Sequence, residues 1–374
     1  MEKIIIIGGG IVGMSAANSL SKAKCHVTVI DRSDAGQATD AAAGIICPWL
    51  SKRRNKAWYE LAKNGARYYH QLTKDLNADV QMDTGYRQVG ALCIRENKDA
   101  LTDLAEMASL RRKEAPEIGE ITLLTEEQAK AEFPLLREGF SAVKVSGGAR
   151  VSGRALRLAL EASAKKNGAV IIRDTAVLHV NAGKVDGVTL TSNLRHLKAD
   201  KIIVAPGAWA RDILSPLGKI VDIGPQKGQL LHVQLDVDTK LWPVILPPSS
   251  QSIVPFDGGR LVIGATHEKN QGFDIAPTVG GINEIITEAL KFAPDIVHAK
   301  LKEIRVGSRA FTTDFSPFIG QVPDHPMIWM ASGLGASGLT TGPFIGHLLA
   351  QAVMDQSLEI DIQPYQLKPY VEMK

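Results

Sequence analysis

A Rossmann-like α/β fold joined to an α+β second domain is predicted by three observations. A βαβ nucleotide-binding unit opens the chain, a second strand, glycine turn and helix closes it, and a strand-rich stretch lies before that closing element. At about 150 residues per domain, 374 residues correspond to two or three domain-sized units. Apolar residues make up 45% and charged residues 22%, close to the roughly 45–50% and 25% of globular chains, which excludes disordered and fibrous classes. The formal net charge of +3 is too small for a phosphate-tracking surface, so no nucleic-acid partner is expected. Cys25, Cys47 and Cys93 are far apart and form no CxxC pair. That spacing excludes a disulfide framework, gives no metal knuckle and fits a reducing cytoplasm; no metal is expected.

The elements follow in order. Ile4 to Ile7 is wholly apolar and β-branched, as suits a parallel strand covered on both faces. Gly8-Gly9-Gly10-Ile11-Val12-Gly13 follows, then Ala16, Ala17 and Leu20 recur at helical spacing up to Lys22, and Val27 to Ile30 forms a second strand ending at Asp31. In such a unit Gly8 permits the tight turn, Gly10 lets backbone approach a pyrophosphate, and Gly13 lets the helix pack on the strand. Asp31 stands 18 residues past Gly13, near the roughly 20 expected of a carboxylate that accepts hydrogen bonds from an adenosine ribose. It would repel a 2′-phosphate, which disfavours NADP, although Arg32 beside it would attract one. NAD and FAD both stay open on this fingerprint. Lys24 stands where glycine usually ends the helix, at a cost of about 1 kcal/mol in a left-handed exit. The fingerprint would be destroyed by signal cleavage, and a net basic n-region is missing, so residues 1–17 are not read as a signal peptide.

Trp58, Leu61, Ala62, Tyr69, Leu72 and Leu76 mark one face of a long helix, and Leu101, Leu104, Ala108 and Leu110 mark another. Thr125-Glu126-Glu127-Gln128 is a capping box for a short helix ended by Pro134. A helix capped by Ser152 carries Leu156, Ala159, Leu160 and Ser163. Strands follow at Ala169 to Ile172, around Val177, at Val185 to Leu190 and at Lys201 to Ala205. From Pro225 to Arg309 the pattern is mostly strands, including Gln229 to Leu235 and Arg260 to Ala265 after the Asp257-Gly258-Gly259 turn, broken by a helix over Val279 to Phe292. Met327 to Ala331 is a strand, Gly333 to Gly338 a glycine-rich turn and Leu339 to Met354 a helix. Its apolar run contains His347 and Gln351, and no stretch reaches the roughly 20 apolar residues of a membrane span. A soluble, cytoplasmic protein is expected.

Five ordered blocks, spread over nearly the whole chain, resemble the D-amino acid oxidase-like flavoprotein superfamily, which includes glycine oxidase, sarcosine oxidase and D-amino acid dehydrogenase. Ala38-Thr39-Asp40-Ala41-Ala42-Ala43-Gly44 is similar to its small-residue loop, Ala205-Pro206-Gly207-Ala208-Trp209 to its AxGAW element, and Gln226-Lys227-Gly228-Gln229 to its crossing into the substrate domain. Arg309 to Asp314, continued by Pro317, Ile319 and Gly320, is similar to its R…TxDxxPxIG block, and Gly333, Gly335 and Gly338 match its closing turn. The resemblance implies an FAD-binding domain built from residues 1–50, 150–220 and 305–374, interleaved with a mixed, largely antiparallel substrate domain from 51–149 and 221–304. It implies noncovalent FAD, because no cysteine precedes the Arg309 block where sarcosine oxidases tether theirs. Leu334 replaces a histidine that several relatives carry. The expected cofactor contacts are Gly8, Gly10, Ile11, Val12, Gly13, Asp31, Arg32, Thr39, Ala42, Ala43, Gly44, Val177 at the adenine, Gly207, Gly333, Gly335, Ala336, Ser337 and Gly338. The closing turn would aim a helix N-terminus at flavin N1 and the C2 carbonyl, where charge collects on reduction.

By the same resemblance Arg309 binds the substrate carboxylate, a task that suits the two parallel N–H donors of a guanidinium. The implied reaction oxidises the C–N bond of a small amino acid or secondary amine, of D-amino acid, glycine or sarcosine type, by hydride transfer to flavin N5. Electrons then pass to dioxygen or a quinone-type acceptor. The amine lone pair stabilises the resulting iminium, so no side-chain base is required and no catalytic residue is named. Two other readings stay open: oxidation of an amine on modified tRNA, and a flavin- or nucleotide-binding subunit of a multi-subunit amine dehydrogenase. A homo-oligomer stays open. His267 and Tyr86-Arg87 are candidates for the pocket, with ordinary strand and loop roles at least as open. Cys47 is read as a buried inert thiol, and Lys52-Arg53-Arg54 and Arg111-Arg112-Lys113 as solvated charge clusters.

Overall fold

In the computed structural model, which describes residues 2–373, the strand Lys3–Ile7 lies inside a six-stranded sheet. Its order is Phe318–Val322, His325–Ser332, Lys201–Val204, Lys3–Ile7, His26–Asp31 and Val170–Arg173. Every pair is parallel except the first, which is a hairpin. Ile4 and Ile6 face one core, shared with the helices Ile11–Lys22, Gly153–Lys166 and Gly338–Val353. Ile5 and Ile7 face a second core, shared with a three-stranded sheet of Ala176–Asn181, Lys184–Leu190 and His196–Lys198. Both faces are covered, which is why the sequence shows an unbroken apolar run there instead of alternation.

A second sheet of eight strands runs Lys300–Phe311, Gly224–Gln234, Arg260–Gly264, Ser252–Pro255, Val244–Leu246, Ala91–Arg95, Ser141–Val145 and Ile121–Leu124. Only the junction of Val244–Leu246 with Ala91–Arg95 is parallel; it is there that two segments distant in sequence meet. One face of this sheet buries Leu92, Ile94, Leu231, Val233, Ile245 and Leu261 against the helices Val279–Leu290 and Glu126–Glu132. The short helix carries the expected capping box, with Thr125 and Gln128 bonded reciprocally.

Helix packing around the parallel sheet is close enough to depend on glycine. A Cβ on Gly346 would lie 2.4 Å from Val12 O and 2.6 Å from Ser15 Cβ, and one on Gly65 would lie 2.1 Å from Thr340 O. The long helix Lys56–Val80 therefore rests on the C-terminal helix, where Tyr69 Oη also donates to Leu339 O at 2.6 Å. Lys24 takes φ +65° at the exit of the first helix, the left-handed turn that its position required.

The two basic clusters are corrected in part. Arg111 is half-buried, donates to the Trp49 and Ser51 carbonyls at 2.6 and 2.8 Å and lies 4.5 Å over the Tyr59 ring. Arg53 lies 4.8 Å over the Trp58 ring and donates to Phe315 O. Aromatic faces and unpaired loop carbonyls hold these two guanidinium groups, while Lys52, Arg54, Arg112 and Lys113 are exposed as expected. No described helix is long and apolar enough to cross a membrane.

In a helix interior Gly→Ala is worth about 1 kcal/mol of stabilisation, but overpacking costs about 1–3 kcal/mol. Gly346→Ala is therefore expected to lower the apparent unfolding temperature, followed by circular dichroism, despite its better helix propensity.

Candidate active site

The nucleotide end is set by backbone geometry. Gly8 has φ +106°, and a Cβ there would lie 2.2 Å from Ala205 O; one on Gly13 would lie 1.9 Å from Gly8 O. Only glycine fits either position, and the helix consequently starts directly against the strand end. A Cβ on Gly10, by contrast, would meet nothing nearer than Thr39 Oγ1 at 3.5 Å, so its backbone opens onto free space. The Ile11 N–H donates to Thr39 Oγ1 at 3.1 Å, and no acidic residue occupies the first turn of this 12-residue helix. Its positive end faces outward. Asp31 is held beside it: Oδ2 accepts the Gly9 N–H at 2.5 Å, and Oδ1 accepts the Ser33 N–H at 2.6 Å and Gln37 Nε2 at 3.0 Å. Arg32 pairs with Asp34 and lies 5.9 Å over the Trp209 ring, so its charge is already engaged.

A cavity of about 330 Å³ runs from this end to Arg309. Of the expected cofactor residues it brings together Gly8, Gly10, Ile11, Val12, Asp31, Arg32, Thr39, Ala42, Ala43, Gly44, Gly207, Gly335, Ala336 and Gly338. Four others lie just outside its wall. Gly13 sits beneath Gly8, and Gly333 makes a tight turn with φ +77°. The Ser337 hydroxyl accepts from Trp58 Nε1 at 2.8 Å. The Val177 side chain is turned to solvent, while Asp174, Thr175 and Ala176 just before it line the cavity. The 16-residue C-terminal helix begins at Gly338 with no side-chain cap and no acid in its first turn. Two helix N-termini thus border one cavity, a strong setting for developing negative charge.

Arg309 marks the other end. It stands opposite Gln226 across the strand pair Gly224–Gln234 and Lys300–Phe311, and its guanidinium leans diagonally over Gly228. A Cβ on Gly228 would lie 2.6–2.9 Å from Nη2, Cζ and Nη1, so the glycine makes room for the side chain. Nη1 donates to Thr266 O at 2.9 Å and Gln226 Oε1 at 3.4 Å. Among the described residues no carboxylate lies within ion-pair distance of this group, and Nε and Nη2 have no protein acceptor. Burial lowers its pKa to about 10, opposed by Glu268. It therefore remains a cation at neutral pH, with donors free to receive an anion. His267 Nδ1 lies 3.3 Å from Nη1; partial desolvation and then the neighbouring guanidinium lower its pKa, which keeps it neutral at pH 7.

Of the looser candidates, His267 lines the cavity. Tyr86 and Arg87 do not: Tyr86 stacks on Tyr69 with ring centroids 5.2 Å apart, and Arg87 pairs with Asp257 at 2.8 Å. Cys47 is buried, and desolvation followed by the neighbouring Cys93 pushes its thiol well above the ordinary range, as befits an inert group. Ser250, Ser252, Leu230 and Ala265 also line the cavity; the two serines stand either side of Gln251 where the strand Ser252–Pro255 begins, a stretch that carries no motif, and only the tertiary fold brings them here.

Residues 3–352 match the profile of the FAD-dependent oxidoreductase family DAO. The chain belongs to this family. It is 48% identical over 367 residues to an uncharacterized oxidoreductase, YurR, of Bacillus subtilis, covering 98% of each chain. It is 27% identical to a glycine oxidase of Pseudomonas aeruginosa, covering 97% of this chain and 98% of that one. Among solved structures it is similar to iminodiacetate oxidase from Chelativorans sp. BNC1, with a TM-score of 0.94 and 40% identity over 97% of this chain and 98% of that one. The protein is thus an FAD-dependent oxidoreductase. Its cavity fits the cofactor: Gly10, Gly207 and Gly335 leave open space where side chains would stand, and two helix N-termini with no acid in their first turns can meet the pyrophosphate and the flavin ring.

Gly228→Val is expected to keep FAD bound while displacing the Arg309 guanidinium. Losing a charge-assisted hydrogen bond costs about 1.5–3 kcal/mol, so affinity for a simple carboxylate should fall about 10- to 100-fold in a flavin difference titration.

Proposed function

We propose that this enzyme oxidises the C–N bond of a small carboxylate-bearing amine, of glycine, sarcosine, D-amino acid or iminodiacetate type, to an imine that hydrolyses. The observation that carries this reading is the Arg309 guanidinium at the end of the cavity, charged and without an anionic partner. The 40% identity to a protein described as iminodiacetate oxidase supports the secondary-amine end of the range, and the glycine oxidases at 26–27% support the small-substrate size.

Residues would hold FAD as follows: the Gly10, Ile11 and Val12 backbone at the pyrophosphate, Asp31 at the ribose, the Ala176–Val177 segment at the adenine, and Ala42 to Gly44 with Gly335 to Gly338 at the ring. Segments 1–50, 150–220 and 305–374 form the FAD-binding domain on this reading, and 51–149 with 221–304 the substrate domain. When bound, FAD would supply N5 as hydride acceptor, with dioxygen or a quinone-type compound as the final electron acceptor.

The chain contributes binding and orientation. Thr266 O and Gln226 Oε1 fix Nη1 of Arg309, leaving Nη2 and Nε to grip one carboxylate in a defined plane. Leu230, two residues along the strand from Gly228, gives an apolar wall that excludes water and strengthens that ion pair. Neutral His267 adds a polar contact without a competing charge. When the bound amine is neutral, its lone pair stabilises the cation formed as hydride leaves the adjacent carbon, and water then adds to the C=N bond.

Arg309→Ala is expected to retain the oxidised flavin spectrum and to lose anaerobic flavin bleaching by glycine, sarcosine, iminodiacetate and D-alanine; bleaching at the wild-type rate would overturn the assignment. Because Arg309 acts as a cation, carboxylate binding is present below its pKa and lost as pH rises through about 10. The inhibition constant of a carboxylate lacking an amine should therefore be flat to about pH 9 and rise above pH 10.

A further inference from the structure

We infer that His179, Asp186 and His196 form a binding site for a transition-metal dication of the zinc type, on the three-stranded sheet behind the parallel one. One ligand atom from each residue lies within 4.8 Å of the others. His179 Nδ1 is 2.7 Å from Asp186 Oδ1, and His196 Nε2 is 3.3 Å from the same oxygen. Donors bound at about 2.0–2.2 Å in a tetrahedral shell stand roughly 3.3–3.6 Å apart, so an ion would replace the His179–Asp186 hydrogen bond and draw His179, whose ring centroid is now 4.1 Å from that of His196, outward. The set is chemically selective: two imidazoles and one carboxylate suit zinc, copper, nickel or ferrous iron, and calcium and magnesium prefer all-oxygen shells.

Three features make this more than a chance cluster of polar side chains. The donors come from three different strands, so an ion would cross-link Ala176–Asn181, Lys184–Leu190 and His196–Lys198. A register shift between His179 and Val180 interrupts the ladder beside the site, the kind of bulge that re-aims a side chain. His196 Nε2 is shielded from solvent and makes no hydrogen bond, its approach to Asp186 lacking the required geometry. Gly187 maintains the space, since a Cβ there would lie 3.0 Å from that same nitrogen. All three side chains keep part of their surface in water, with exposures of 37%, 33% and 29%. Lys198, two residues along the strand from His196, opposes the ion and weakens its binding. Ala176, at the start of the same sheet, lines the FAD cavity about 10 Å from His179 along the strand. The ion would be a clip on the sheet bordering the cavity and would take no part in the oxidation.

Untagged holoenzyme, treated with EDTA and dialysed, is titrated with zinc chloride by calorimetry. About one ion per chain is expected, with a rise of a few degrees in unfolding temperature at about 100-fold excess over the dissociation constant. The double variant His179→Gln/His196→Gln should keep the flavin spectrum and lose both effects. Wild-type protein that takes up no zinc at about 100 µM, or a double variant that binds as tightly as wild type, would overturn the site. If that variant loses its flavin, copper(II) on the wild type decides the matter: coupling to two imidazole nitrogens in its paramagnetic resonance spectrum supports the site, and its absence sinks it.

Discussion

The first helix meets its surroundings through backbone rather than side chain, at Gly8 and Gly13 where it leaves the strand and at Gly346 where the C-terminal helix crosses it. The rest of the molecule depends on that closeness. Each contact removes the few ångströms a side chain would demand, and together they place the starts of two helices on one cavity with Asp31 at its rim. Had either helix stood off by one side-chain layer, its positive end would face water and be screened.

Charge in the cavity is supplied sparingly and by two different devices. At the nucleotide end, where Arg32 is already paired with Asp34, the positive charge left for a ligand is partial and fixed, coming from peptide dipoles that cannot titrate. At the Arg309 end it is a full charge on one side chain, held by carbonyl and amide oxygens that orient it without neutralising it. A carboxylate in place of Thr266 O would hold Arg309 more firmly and leave it nothing to bind. The desolvation that lowers its pKa is the cost of this arrangement, and the same desolvation strengthens its grip on an incoming anion.

Much of the fold was legible because local patterns carry it. Ile4 to Ile7 announces a doubly covered strand, Thr125 to Gln128 announces a helix start, and the glycine fingerprint with Asp31 announces a nucleotide site. Lys300–Phe311 was harder to see as one long strand, since Lys300, Lys302, Glu303 and Arg305 break up the apolar alternation on this edge of the sheet. Arg309 could be singled out only through family resemblance. Its dependence on Gly228 and Thr266 arises between strands about 40–80 residues apart in the chain, where no periodicity reports it. The roles of Arg53 and Arg111 escape the sequence for a similar reason: nothing local to a run of basic residues shows that Trp58 or Tyr59 will lie beneath one of them.

The single parallel junction in the eight-stranded sheet, between Val244–Leu246 and Ala91–Arg95, bears on how the chain comes off the ribosome. The Ala91–Arg95 and Ser141–Val145 ribbon is made early, yet its open edge waits for Val244–Leu246, which ends 101 residues past Val145. At about 5–20 residues per second that wait is roughly five to twenty seconds. For that interval an apolar sheet fragment stands without its partner, so nascent chains of this protein should be clients of ribosome-associated chaperones.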